Sequence, residues 1–262
     1  MEVKNKKVII TGGASGIGKE LTKQLLLMGA FVYAIDINKE NLENLKNELK
    51  TDNLATMVVD MAKEESILEF KDKYERTWGN VDILVNNAGI IQPFKNVDEL
   101  DDGTIKKVMN VNFYGPVNLT RAFLKNLKVR KEAFIVNVSS MGGFFPFPKQ
   151  TIYGASKAAI KIFTEGLYAE LLDTNVHVMV VFPGAIATNI TKNSQVEIKT
   201  DNETSNYKML EADKAASLII DGIKKNKFKL LVGSDAKFMN WFYNFNAKLA
   251  IKTIQQKMKD LN

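Results

Sequence analysis

A chain of 262 residues, 45% hydrophobic and 25% charged, is long enough for a substantial core, as one large domain or two small ones at about 100–200 residues each. The absence of cysteine excludes disulfides and thiolate zinc sites, and the single histidine, His177, argues against a His-built metal site. The formal charge of +6 is concentrated: residues 1–223 hold 27 Lys/Arg against 28 Asp/Glu, residues 224–262 hold nine Lys against two Asp, and only three of the 36 basic residues are the arginines that grip nucleic acid best, so no nucleic-acid partner is expected.

The chain opens on MEVKNKKVII, whose apolar run is too short for a signal peptide or a membrane span. A soluble, cytoplasmic protein is expected. Short Val/Ile-rich runs then recur at Lys7–Thr11, Phe31–Asp36, Leu54–Asp60, Val81–Asn86, Ala133–Ser139, Val176–Phe182 and Phe228–Val232. Their apolar residues are nearly continuous, the pattern of strands buried on both faces of a parallel sheet. Between them Gly16–Met28, Lys39–Lys50, Glu64–Trp78 and Glu211–Asn226 repeat apolar residues three and four apart, as helices do. This alternation predicts an α/β doubly wound Rossmann fold with a seven-stranded parallel sheet, as a single domain over 1–262. Residues 189–210 are polar and read as a substrate loop or lid. Residues 234–262 read as an extra amphipathic helical tail.

Thr11-Gly12-Gly13-Ala14-Ser15-Gly16-Ile17-Gly18 closes the first strand and opens the first helix. Glycines at 12, 16 and 18 permit a tight turn and close backbone approach, and a helix N-terminus offers N–H groups to a pyrophosphate. The second strand ends at Asp36, eighteen residues after Gly18, where an acid can bind both ribose hydroxyls and repel a 2′-phosphate. NAD is therefore expected over NADP. Asp60, at the end of the third strand, is either an adenine partner or a helix N-cap.

Tyr153 and Lys157 lie one helical turn apart. With 33 lysines the bare pair carries no information, so its weight comes from its neighbours. Ser140 ends the fifth strand thirteen residues earlier, Asn112 sits in NVNFYG, and Asn86-Asn87-Ala88-Gly89 ends the fourth strand. All fall at the carboxyl ends of strands or on the helices that follow, the ligand-binding rim of such folds. TGGASGIG, NNAG, Asn112, Ser140, YGASK (153–157) and Pro183-Gly184 with Thr188 stand in the order and spacing of the short-chain dehydrogenase/reductase family, which the chain resembles over roughly residues 5–233.

The resemblance implies an NAD(P)-dependent oxidoreductase that moves a hydride between a nicotinamide and a secondary alcohol or ketone. It implies Tyr153 as general acid/base and Lys157 as the group that lowers its pKa and binds ribose. Ser140 would orient the substrate oxygen, and Asn112 would hold a water on a proton path. Asn87, Ala88, Gly89, Pro183, Gly184, Ile186 and Thr188 would line the cofactor, with Thr188 and the backbone of Ile186 at the carboxamide. Of the two uses open to Asp60, the resemblance implies the adenine partner. The residue types suit the chemistry: bringing a phenol from a pKa of ~10 to near 7 takes about 4 kcal/mol, which an adjacent ammonium and a positive nicotinamide can supply in a dry site. No metal is needed.

The segments flanking the site are apolar: Ile91, Pro93 and Phe94 on one side, Gly142 and Phe144-Phe145-Pro146-Phe147-Pro148 on the other. They read as a hydrophobic substrate site, formed with Ser140 and Tyr153, or as core or oligomer seam. The tail places Phe238, Trp241, Phe242, Phe245 and Leu249 at helical spacing among lysines. It reads as peripheral membrane contact or as packing on its own domain or a sister subunit in a homodimer or homotetramer. The competing functions are a non-catalytic NAD-binding sensor or scaffold and an NADP-dependent carbonyl reductase.

Overall fold

In the computed structural model, residues 1–188, 190, 194 and 209–259 are described. Seven strands join in one sheet: β1 (Lys7–Thr11), β2 (Phe31–Asp36), β3 (Leu54–Val58), β4 (Ile83–Asn86), β5 (Ala133–Val138), β6 (Val176–Pro183) and, after a small pair, β9 (Lys229–Val232). Their order is β3-β2-β1-β4-β5-β6-β9 and every pairing is parallel. The expected seven-stranded parallel sheet is therefore present. Its strand order reverses between β1 and β4, which opens a crevice beyond their carboxyl ends. The small pair, β7 (Ile186–Ala187) and β8 (Leu210–Glu211), is also parallel and flanks residues 189–209. Of the expected lid at 189–210, only 190, 194, 209 and 210 fall within the described residues.

The sheet is apolar on both faces because helices cover both. Along β1, Val8 and Ile10 face one layer and Ile9 the other, as the two-residue period of a strand requires. The first layer is closed by Leu21 and Leu25 of α1 (Gly16–Leu27) and by Ile219, Ile220 and Ile223 of α7 (Ala212–Lys224). The second is closed by Phe70 and Tyr74 of α3 (Glu64–Thr77), Phe123 of α5 (Gly115–Lys128) and Leu167 of α6 (Thr151–Glu170). Full burial of each such side chain is worth about 1.5–3 kcal/mol. Helix α2 (Lys39–Leu49) seats Leu42 and Leu45 against Ala14 and Ala34, and Asn38 caps it by accepting the Asn41 N–H at 2.9 Å.

Two departures from simple alternation position the site. Helix α4 (Asp102–Met109) runs into α5 through a π-helical turn at Asn110–Tyr114, a wider turn that turns a side chain out of register. Past β9 the chain forms α8 (Ser234–Phe245) and α9 (Ala247–Lys259), so the tail is two helices broken at Asn246.

Candidate active site

Parallel pairing brings the ends of β1, β2, β4, β5 and β6 to one edge of the sheet, and with them most of the residues singled out above. At the β1 end, Thr11 is fully buried and its Oγ1 accepts the N–H groups of Asn87 and Ala88 at 2.9 and 2.8 Å. Asn87 Nδ2 donates back to the Thr11 carbonyl at 3.0 Å. The crevice between β1 and β4 is thus tied across its floor. A Cβ on Gly18 would lie 2.0 Å from the Gly12 carbonyl oxygen, so no other residue fits there. Gly16 takes φ +50° under Thr188, whose methyl would sit 3.2 Å from a Cβ at that position. Ser15 enters α1 in extended backbone, and Gly16, Ile17 and Gly18 form its first turn, which carries no acidic side chain. Their N–H groups have no intrahelical acceptor, as in the first turn of any helix.

Asp36 stands beside this loop. Its Oδ2 accepts the Ala14 N–H at 3.2 Å and its Oδ1 the Asn38 N–H at 3.0 Å. Burial raises the carboxyl above its ordinary value, and these backbone donors pull it back. Asp60 accepts the Ala62 N–H at 2.9 Å through Oδ1, and Lys63 lies 3.8 Å from Oδ2; the carboxylate closes a local turn and does not cap α3, which starts at Glu64 after Lys63 without a side-chain cap. A glycine-lined cradle, a helix N-terminus without acid and a carboxylate at the end of β2 fit the pyrophosphate and adenosine ribose of a nicotinamide dinucleotide.

At the β5 end, Ser140 enters a 3-10 turn over Met141–Gly143 and accepts the Gly142 N–H at 3.0 Å. Its hydroxyl also hydrogen-bonds Tyr153. Gly142 lies against the Tyr153 ring, 3.3 Å from where a Cβ would stand. Lys157 is 4% exposed; its Nζ donates to the Val138 carbonyl at 3.0 Å and lies 6.0 Å from the centre of the Tyr153 ring. Burial pulls its ammonium down to about 8. Burial also holds the Tyr153 phenol above its ordinary value, opposed only by the Ser140 hydrogen bond. The expected lowering draws on the positive nicotinamide as well as on Lys157; with the side chains alone, dehydration outweighs the Ser140 hydrogen bond.

Asn112, in the π turn, is locked to the loop after β4: Oδ1 accepts the Ile90 N–H and Nδ2 donates to the Ile90 carbonyl, both at 2.9 Å, and to Ser156 Oγ at 2.9 Å. A Cβ on Gly89 would stand 3.0 Å from Lys157 Nζ and 3.3 Å from Asn112 Oδ1, so all three meet at one point. At the β6 end, the Gly184 N–H donates to the Val232 carbonyl at 2.9 Å, fixing the turn after Pro183 that carries Ile186 and Thr188 toward Gly16. Phe144 packs edge-on against Phe182, Phe145 is 1% exposed, and Phe94 lies at the surface, 39% exposed. Of the flanking aromatics, Phe145 belongs to the core.

Several positioning residues escaped the sequence reading. Gln92 is fully buried, and its Oε1 accepts the N–H groups of Ile152 and Tyr153 at 2.8 and 2.9 Å, closing the first turn of α6. Its Nε2 donates to the Lys149 carbonyl at 3.1 Å, and its own carbonyl accepts Gln150 Nε2 at 2.8 Å. Ser139 donates to the Lys157 carbonyl at 2.7 Å, pinning the β5 turn to α6. Asp235, in the first turn of α8, accepts the Ala185 N–H at 2.6 Å. An isolated polar Gln among Ile90, Ile91, Pro93 and Phe94 was the available signal for the first. For the third it was the single acid between residues 224 and 259. Among the described residues no cluster of metal-ligating side chains occurs, and no helix is long and apolar enough to cross a membrane.

The short chain dehydrogenase family profile matches residues 6–199. The putative oxidoreductase SadH of Mycobacterium tuberculosis is 32% identical over 247 residues, 88% of this chain and 87% of that one. A 3-oxoacyl-acyl-carrier-protein reductase of Thermotoga maritima is 37% identical over 194 residues, 73% of this chain and 78% of that one. Among solved structures, a short chain dehydrogenase/reductase of Burkholderia phymatum in complex with NAD superposes with a TM-score of 0.81 at 23% identity, covering 88% of this chain and 90% of that one. A short chain dehydrogenase of Burkholderia cenocepacia in complex with NADP gives 0.81 at 24%, covering 97% and 99%. The shared fold thus accommodates either dinucleotide.

Proposed function

We propose that this chain, which belongs to the short-chain dehydrogenase/reductase family and is an NAD(P)-dependent oxidoreductase, uses NAD to interconvert a hydrophobic secondary alcohol and its ketone. The observation that carries the proposal is the meeting of Ser140, Tyr153 and Lys157 on the carboxyl edge of the sheet, beside the Gly89–Asn112 contact. When bound in the cradle, the nicotinamide supplies the hydride acceptor or donor. The chain supplies the rest. Ser140 holds the substrate oxygen, and Tyr153 takes or returns its proton. Lys157, one turn further on, binds the cofactor ribose and favours the phenolate whenever it is itself charged.

Asp36 supports NAD: a second anion, the 2′-phosphate of NADP, would meet its carboxylate beside Ala14. Asn87, Ala88, Pro183, Gly184, Ile186 and Thr188 complete the cofactor wall, Asp60 lies toward its adenine end, and Phe94, Gly142 and Phe144 border the substrate. Tyr114, Ile162 and Leu172 expose 52–61% of their surface near α5 and α6, which supports a homodimer or homotetramer. We place the enzyme in the cytoplasm.

The test is reduction of NAD and of NADP by a panel of secondary alcohols from short-chain to polycyclic. The expected result is turnover with the larger apolar alcohols and a preference for NAD. Tight NAD binding without turnover of any alcohol or ketone would assign the chain to a sensor role instead.

A further inference from the structure

Helix α8 carries Phe238, Trp241 and Phe245 on one stripe, at the three- and four-residue spacing of a helix face. All three stay exposed, at 54%, 60% and 75%. Their rings touch in sequence: Phe238 lies 5.9 Å from Trp241, and Trp241 stacks on Phe245 at 5.9 Å. On α9, Leu249 is exposed as well, at 49%. The stripe is not a fraying end. Ala236 and Ala250 are fully buried, Tyr243 packs edge-on against Phe145 at 5.9 Å, and Asn246 Oδ1 caps α9 through the Leu249 N–H. Asp235 ties the start of α8 to the cofactor loop at Ala185. The helix pair is seated on the body by one side and holds its rings outward on the other.

Charge selects the occupant. Residues 236–259 contain five lysines and no acid, and Lys237, Lys248 and Lys252 are exposed. A second copy related by a two-fold axis would set these lysines against themselves, and the one carboxylate of the helix pair, Asp235, is engaged with the Ala185 N–H. A layer of anionic headgroups pairs them, while Trp and Phe rings partition to the headgroup–acyl boundary. We propose that this face of α8 and α9 docks on an anionic lipid bilayer, lying in its surface without crossing it. Because α8 also holds the loop at Gly184–Ala185 and borders the turn after β5, docking brings the substrate end of the crevice near the bilayer.

The test uses the full chain loaded with cofactor and sucrose-filled vesicles of phosphatidylcholine, with or without about 30% phosphatidylglycerol. The protein is expected to sediment with the anionic vesicles about ten-fold more strongly than with the neutral ones, and to be released by high salt. In a Trp78→Phe background, Trp241 emission should shift to the blue on binding. The triple variant Phe238→Ser, Trp241→Ser, Phe245→Ser should lose at least about ten-fold in vesicle affinity while binding cofactor as before. Sedimentation with neither vesicle at low salt overturns the proposal, as does undiminished binding by the triple variant. So does an oligomer that dissociates in that variant without vesicle binding in the parent, which would give the face to a second copy.

Discussion

At the dinucleotide end of the crevice the chain offers backbone: a glycine loop, first-turn N–H groups of α1 and a single carboxylate, Asp36, held by two main-chain donors. At the substrate end it offers buried side chains: Ser139 bonded to the Lys157 backbone, Gln92 to that of Tyr153, Asn112 to that of Ile90 and to the Ser156 hydroxyl. Backbone binds an anion without needing to ionise, so the first end serves affinity. The second holds two titratable groups in a dry place, where their protonation depends on what else is bound. Substitutions at the two ends should therefore separate, one set changing rate and the other cofactor affinity or choice.

The largest effect is expected at Tyr153. Tyr153→Phe removes the hydroxyl proposed to carry the proton and keeps the ring that packs on Gly142, so turnover should fall by about 10³-fold or more. Cofactor affinity, followed by fluorescence of the bound dinucleotide, should stay within about three-fold. Appreciable turnover in this variant would overturn the assignment of Tyr153.

Lys157 comes next, and its effect extends to stability. Its folded value lies near 8, below the ordinary 10.5. At neutral pH the folded chain therefore holds a buried cation that the unfolded chain holds in water. Between about 8 and 10.5 the unfolded chain binds more protons, so stability rises with pH across that window. Lys157→Met should stabilise the cofactor-free protein by up to about 3 kcal/mol at pH 7, part of it offset by the lost bond to Val138. The gain should fade by about pH 10.5, and the same variant should lose turnover. Urea unfolding at pH 7 and pH 10 reads this directly, and equal destabilisation at both values would contradict it.

What could be read in the sequence follows the same division. The strands were legible because residues such as Val8, Ile9 and Ile10 are apolar on both faces, which only a covered parallel sheet requires. The glycine loop, Ser140 and the Tyr153–Lys157 pair stood out together, by the order and spacing of their motifs along the chain, and the pair alone carried no signal. Gln92 and Asp235 were not, because each acts on a backbone N–H far along the chain: Gln92 on residues 152 and 153, Asp235 on residue 185. An amide or a carboxylate in a loop is chemically unremarkable until the fold shows which donor it meets. The same holds for Asp60, where two uses were open and the carboxylate is found accepting the Ala62 N–H in a turn ahead of α3, without capping that helix.

At the substrate end, the Gln92 side chain spends its hydrogen bonds on residues 149, 152 and 153, at the start of α6. Gln92→Leu leaves two N–H groups at the start of that helix without their acceptor, a buried loss worth about 1–3 kcal/mol. If its role is to aim Tyr153, kcat should fall about ten-fold or more with cofactor KM nearly constant. Gln92→Glu, which keeps an oxygen for the same donors, should recover part of the rate. A variant that merely unfolds more easily, with kcat intact at low temperature, would reduce Gln92 to a structural brace.

Asp36 probes the other end and should give the smallest change. The carboxylate accepts from Ala14 in the glycine loop and from Asn38 at the start of α2, so it is preset before any ribose arrives. Its burial raises its proton affinity, and ribose hydroxyls donating to the ionised form would lower it again. Asp36→Ala removes both the acceptor and the repulsion toward a 2′-phosphate, so the NAD-over-NADP ratio in kcat/KM should narrow by about ten-fold, with kcat on saturating NAD little changed. That division, choice altered and rate kept, is the reverse of the one expected for Tyr153→Phe. An Asp36→Ala enzyme whose kcat collapsed would show that the two ends are coupled, for instance through the contact between Gly16 and Thr188, rather than separable as their build implies.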